Sequence, residues 1–133
     1  SENSGFAHIP LFGKIAAGTP IEAIRDEGSS VPVPQTMLGS RNDHYALTVE
    51  GDSMVDAGIH DGDTVIIKRC ESADNGAIVV ALVDGEEVTL KTLKRDKNMI
   101  TLMPHNKAHT PQTLPAERVQ IQGELAALLR SYH

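Results

Sequence analysis

Tryptophan is absent from this 133-residue chain, and two Phe and two Tyr supply all of its aromatic bulk. Its core must therefore be aliphatic. Cysteine occurs once, as Cys70, which excludes an internal disulfide. Lys68 and Arg69 beside it would favour the thiolate, yet no partner for nucleophilic chemistry accompanies it, and Cys70 reads as an inert residue at a strand end. No apolar run approaches the ~18 residues needed to span a bilayer, and no charged, apolar, small-residue succession resembles a signal peptide. A soluble protein of a reducing, cytoplasmic compartment is the expectation. Basic residues are outnumbered, 12 against 18 acidic, for a net charge of −6. A duplex-binding surface on this chain would have to overcome repulsion from the phosphates, so direct nucleic-acid binding is not expected of it. There is no internal repeat and no GxGxxG or Walker-type phosphate loop.

What is present fits one domain of ordinary size. The chain opens at SENSG rather than at Met, and those polar residues read as a linker with something upstream of it. The expected division is a linker over 1–8 and a single domain over 9–133. Residues 6–20, FAHIPLFGKIAAGTP, read as an exposed, extended loop closed by Pro20. From Ile21 to Arg41, prolines, glycines and serines argue for connection, with a helical turn at TML, 36–38. The period then changes. HYALTVE at 44–50, DTVIIKR at 63–69, AIVVALV at 77–83, EVTLKTLKR at 87–95 and MITLMP at 99–104 are short β-branched runs. The turn signals DNG, DGEE and DKN separate the later ones. This spacing predicts a mostly β, mostly antiparallel fold of several short strands with little helix. The end is ambiguous: VQIQG alternates like a strand, whereas ELAALLR is rich in helix formers, and propensity favours helix after Gly123.

Ser53 stands in VEGDSMVDAGIHDGD, directly after a strand-like run. Tight backbone geometry there can present a hydroxyl and aim neighbouring N–H groups at one point, but a serine in a turn more often only caps backbone groups. A nucleophilic role requires a base. None of the six histidines (His8, His44, His60, His105, His109 and His133) lies in a recognisable catalytic motif. His105 and His109 form an H-x3-H pair in a Pro-containing loop, too few ligands for a metal site without further donors. Lys91 is the other candidate. In a strand from Val88 to Leu93 it shares a face with Thr89 and Leu93, where burial would lower its pKa from about 10.4 and yield a neutral amine. The competing reading is an outward-facing lysine that snorkels as Lys94 would. Asp52, Asp56, Asp61 and Asp63 lack the order of an EF-hand loop and read as a solvated turn cluster, so no metal or other cofactor is implied.

EGDSMVDAGIHDGDTVIIKR, followed after one hairpin by DGEEVTLKTLKR, resembles the family formed by the carboxy-terminal domains of LexA-type repressors, the UmuD proteins and phage repressors. The likeness runs from about Ile9 to Leu129. It implies that Ser53 of the G-x-S-M motif is a nucleophile and that Lys91 of the V-T-x-K strand, 38 positions on, is its general base. It implies, too, that KIAAGTP holds a scissile bond between Ala17 and Gly18, where UmuD proteins typically have Cys-Gly. Backbone N–H groups around Asp52, Ser53 and Met54 are the expected oxyanion donors. The same likeness makes ELAALLR a terminal strand, against its propensity, in a region that helps to form a homodimer. It implies a partner, the RecA filament on single-stranded DNA. DNA contact would belong to an amino-terminal winged helix-turn-helix domain, and nothing before Phe6 is long enough to form one.

The reading drawn from these residues is a self-cleaving serine endopeptidase domain of a DNA-damage (SOS) transcriptional repressor. Two alternatives stand beside it. One is a UmuD-like polymerase accessory protein, cleaved in the same way. The other is a non-catalytic β-rich interaction domain in which Ser53 and Lys91 are structural.

Overall fold

The structure, a computed structural model, describes residues 5–16, 18–38 and 43–132. Ten strands follow in chain order: β1 (Phe6–Ile15), β2 (Thr19–Pro20), β3 (Ser30–Pro34), β4 (His44–Val49), β5 (Thr64–Lys68), β6 (Ile78–Val83), β7 (Glu87–Asp96), β8 (Met99–Met103), β9 (Gln112–Pro115) and β10 (Val119–Leu129). Helical structure among the described residues amounts to single 3-10 turns, as the β-branched runs and turn signals predict. The strands form one sheet in the order β3-β1-β4-β5-β10-β6-β7-β8-β9, with β2 added onto β7. All pairs are antiparallel except β1 with β4.

Side-chain alternation divides the core. Tyr45, Leu47 and Val49 of β4, Val65 and Ile67 of β5, Val80 of β6, and Val88 and Leu90 of β7 pack in one cluster, joined by Ile15, Met54 and Ile59. Intervening residues pack elsewhere. Ala46 and Ile66 meet Ile9 and Val33 near one end of the sheet, while Val79, Ala81 and Leu93 meet Ile100, Leu102, Leu114 and Ile121 near the other. The middle strands are therefore covered on both faces, which is why TVIIK and IVVALV are unbroken apolar runs rather than alternating ones. Each fully buried Val, Leu or Ile contributes on the order of 1.5–3 kcal/mol.

Two regions depart from propensity and composition. Residues 6–15, expected to be an exposed loop, form a ten-residue strand paired with β3 on one side and β4 on the other. Phe6, Ala7 and His8, expected in the linker, are its first residues. Proline had argued for irregular structure, but Pro32 and Pro34 alternate along β3, which is the edge strand of the sheet. Their missing N–H groups can therefore all face outward, where no ladder needs them. The second region is the C-terminal run. ELAALLR continues β10, as the resemblance implies and helix propensity does not. β10 pairs with β6 through Val119–Glu124 and with β5 through Glu124–Leu129, so each half of it is laddered to a neighbouring strand, and that pairing overrides local preference. Gly123 marks the crossing between partners. A Cβ there would overlap the Ile67 side chain and stand 2.7 Å from the Lys68 carbonyl oxygen.

Candidate active site

β4 ends at Val49, and the chain leaves the sheet through Gly51, whose φ of +90° favours glycine. The excursion is closed at its base: Val49 N–H donates to the Asp63 carbonyl and Gly62 N–H to the Val49 carbonyl, both at 2.8 Å. Carboxylates hold the rest. Asp61 Oδ1 accepts from Gly51 N–H at 2.8 Å. Buried Asp63 accepts from His60 N–H at 2.8 Å and from two Arg130 nitrogens at 2.7 Å each. The Arg130 bonds keep the Asp63 carboxyl below its usual pKa. Met54, 2% exposed, plugs the turn into the main cluster, leaving the adjacent Ser53 half-buried. The N–H groups of Asp52, Ser53 and Met54 donate to no acceptor among the described residues.

A second loop braces this turn. His105 N–H donates to the Ser53 carbonyl and Asp56 N–H to the His105 carbonyl, both at 2.8 Å. Asn106 Nδ2 donates to the Asp52 carbonyl at 2.9 Å, and His109 Nε2 lies 2.8 Å from Asp52 Oδ1. That bond to His109 holds the Asp52 carboxyl below its ordinary range. The two histidines of H-x3-H thus bond within the protein, and among the described residues no group of three or more His, Cys, Asp and Glu could hold a metal ion. Sequence reasoning missed these partners. The contacts span from 49 to 57 positions in sequence, and the only local signal was a Pro-containing loop.

Lys91 lies in β7, where Val88 to Leu93 are buried without a break. It is 8% exposed. Its Nζ donates to Thr89 Oγ1 at 2.6 Å, across one face of the strand, as alternation predicts. Burial pushes its pKa down to about 8, and no ion pair among the described residues opposes that shift. Cys70 moves the other way: burial raises its thiol pKa despite Lys68 nearby. Among the described hydrogen bonds none joins Ser53 to Lys91, but one loop residue contacts both elements. His105, bonded to the Ser53 carbonyl, places Nε2 at 2.7 Å from Oγ1 of Thr92, the residue after Lys91.

The described residues flanking position 17 bond to the strands on either side of it. Ile15, at the end of β1, is in parallel register with Val49, and its carbonyl accepts from Glu50 N–H at 2.8 Å. Ala16 N–H donates to Thr19 Oγ1 at 2.8 Å, and Thr19 pairs with Val88 of β7. Ala17 lies outside the described residues. Gly18 is exposed, and a Cβ on it would stand 3.6 Å from the Glu87 carboxylate. The outer edge of β7 is occupied by β2 at Glu87 and Val88 and by β8 from Thr92 onward, and between them no described strand pairs with Thr89, Leu90 and Lys91 on that edge. A cleft of about 270 Å³ is lined by Ala16, Glu50, Gly51, Asp52, Ser53 and His109. It brings the Ser53 turn together with Ala16, the described residue just before position 17.

Among the described residues no helix is long and apolar enough to cross a membrane. Comparison with known proteins gives one family: residues 10–126 match Peptidase S24-like. The LexA repressor of Paramagnetospirillum magneticum is 61% identical over 124 residues, which cover 93% of this chain and 52% of that protein. The LexA repressors of Gluconacetobacter diazotrophicus and Granulibacter bethesdensis are 54% and 52% identical, over 97% and 99% of this chain and 51% and 54% of theirs. The chain spans about half the length of the curated relatives it matches. With that match running from the middle of β1 to near the end of β10, the chain belongs to the Peptidase S24-like family.

Proposed function

We propose that this chain is the self-cleaving, dimerising part of a LexA-type repressor of DNA-damage genes, a serine endopeptidase whose substrate is its own Ala17-Gly18 bond. The observation that carries the reading is where the residues flanking position 17 attach. Ile15 lies beside Val49, in the strand that leads into Ser53, and Thr19 pairs with Val88, three residues before Lys91. Neutral Lys91 takes the Ser53 proton and Ser53 Oγ attacks the Ala17 carbonyl. Backbone N–H groups of Asp52, Ser53 and Met54 receive the oxyanion, Lys91 protonates the departing Gly18 amine, and water releases the acyl-enzyme. Tethering supplies proximity and leaves no capture step. A lysine already buried and near neutrality supports this assignment.

Control follows from the fraction of time the segment is docked. A partner that binds the docked state accelerates cleavage by shifting that population. The RecA filament on single-stranded DNA fills this role. DNA contact is assigned to a further amino-terminal domain of the whole repressor, dimerisation to this part, and the setting to the cytoplasm.

The test is intact-mass spectrometry of the chain over about pH 7–10, a range that brackets the Lys91 pKa of about 8. Pieces 1–17 and 18–133 should appear in the wild-type chain and in neither Ser53→Ala nor Lys91→Ala. RecA filaments on single-stranded DNA should accelerate their appearance at neutral pH. A folded chain that stays intact with and without RecA would leave the non-catalytic interaction domain as the better reading.

A further inference from the structure

We infer that His105 is a positioning residue for the cleavage reaction, coupling the backbone of Ser53 to the strand that carries Lys91. The inference rests on the Ser-Lys reading above. Ser53 and Lys91 come from elements of different kinds, a turn outside the sheet and a strand inside it, and each can shift by fractions of an ångström without the other. His105 touches both. Its N–H donates to the Ser53 carbonyl at 2.8 Å, its carbonyl accepts from Asp56 N–H at 2.8 Å, and its Nε2 lies 2.7 Å from Thr92 Oγ1. The backbone bonds fix the nucleophile turn on both sides of Met54. The side-chain bond fixes the same loop to β7, one residue from Lys91.

Neighbouring groups reinforce the turn side of this bridge. Asn106 Nδ2 holds the Asp52 carbonyl and His109 Nε2 the Asp52 carboxylate. Only His105, within this loop, reaches β7 by a side-chain hydrogen bond among the described residues. Either tautomer serves, because a hydroxyl both donates and accepts. The contact acts through distance and alignment rather than through charge. A nucleophile displaced by about 1 Å can lose 10²-fold in rate.

The experiment measures self-cleavage rate against pH for the wild-type chain, His105→Leu, His105→Gln, Thr92→Val, Thr92→Ser and the double variant His105→Leu/Thr92→Val, with thermal midpoints recorded alongside. His105→Leu and Thr92→Val should each lower the high-pH plateau by roughly tenfold to a hundredfold while its midpoint stays near the Lys91 pKa of about 8. The double variant should be no slower than the slower single one. His105→Gln and Thr92→Ser, which keep a polar atom, should recover most of the rate. A plateau within twofold of wild type would overturn the inference. So would additive losses, absence of rescue, or a midpoint moved toward about 10.4, since the last would mean that the bond only keeps Lys91 buried. Should His105→Leu fail to fold, Thr92→Val tests the same bond from the strand side. Absence of cleavage in the wild-type chain would remove the underlying Ser-Lys reading first, and this inference with it.

Discussion

The turn that carries Ser53 and the strand that carries Lys91 are bridged by the β8–β9 loop through His105 but are held by different physics. Residues 50–63 leave the sheet and are fixed by polar bonds: carboxylates of Asp52, Asp61 and Asp63, the Arg130 fork, and a second loop that grips the backbone. Residues 88–93 are fixed by burial on both faces, by the β6 ladder along one edge, and on the other edge by β2 at Val88 and β8 from Thr92 onward. The first arrangement presents a hydroxyl and free N–H groups to a substrate. The second takes a lysine out of water and lowers its pKa, at a cost in stability that the surrounding apolar contacts offset. In the proposed mechanism this division separates two requirements, a half-buried nucleophile on the turn and a desolvated base in the strand.

The sharpest way to break the comparison is to remove the cost on the strand side. Lys91→Met should abolish cleavage and yet stabilise the fold at neutral pH by up to about 3 kcal/mol, because an unpaired buried ammonium is replaced by an apolar chain of similar length. The sign follows from linkage. The folded pKa of about 8 lies below the ordinary lysine value of 10.5, so the unfolded chain binds more protons between those values and wild-type stability rises with pH there. Urea unfolding of both proteins at pH 7 and pH 10.5 should show the advantage of Lys91→Met shrinking at the higher pH. Ser53→Ala, on the turn side, should abolish cleavage with little change in stability at either pH.

Next in size is a change that spares both regions directly. Gly123→Ala would force a methyl against Ile67 and the Lys68 carbonyl, where β10 passes from β6 to β5. It should destabilise by about 1–3 kcal/mol, read as a lower urea midpoint at unchanged slope. An unchanged midpoint would show that β10 and β5 can separate freely there.

A smaller effect separates the two regions by pH. Asp63 and Asp52 have lowered pKa values through their bonds to Arg130 and His109 respectively. The stability they contribute is present above the ordinary carboxylate value of about 3.9 and is lost as pH falls through the lower folded values. Hydrogen exchange in acid should therefore show residues 50–63 losing protection before Val88–Leu93. Simultaneous loss would mean that the turn opens only with the whole sheet.

The two regions also differ in how far they could be read in advance. The β-branched runs of β4 to β8 and their turn residues announce strands at nearly the observed bounds, because cross-strand packing there agrees with local preference. β1 and β3 were hidden by proline, which disfavours a strand only where its N–H is needed, and a sequence does not say which edge is free. β10 was hidden by the helix formers of ELAALLR, overridden there by the ladder to β5, from Glu124 opposite Lys68 to Leu129 opposite Thr64. At the site, local patterning gave only an open choice for Ser53 and Lys91, and their pairing came from a resemblance. The bonds from His105, Asn106 and His109 left no mark at all, since they depend on where the β8–β9 loop falls over a turn some fifty residues earlier.

The central claim is that buried Lys91, its pKa lowered to about 8, takes the Ser53 proton in its neutral form, and the pH dependence of self-cleavage tests it most directly. The rate of appearance of residues 18–133 should rise with pH to half its plateau near pH 8, following the Lys91 pKa of about 8, and vanish in Lys91→Ala. A rate independent of pH, or one still climbing at about pH 10.4 as for a solvated lysine, would contradict it.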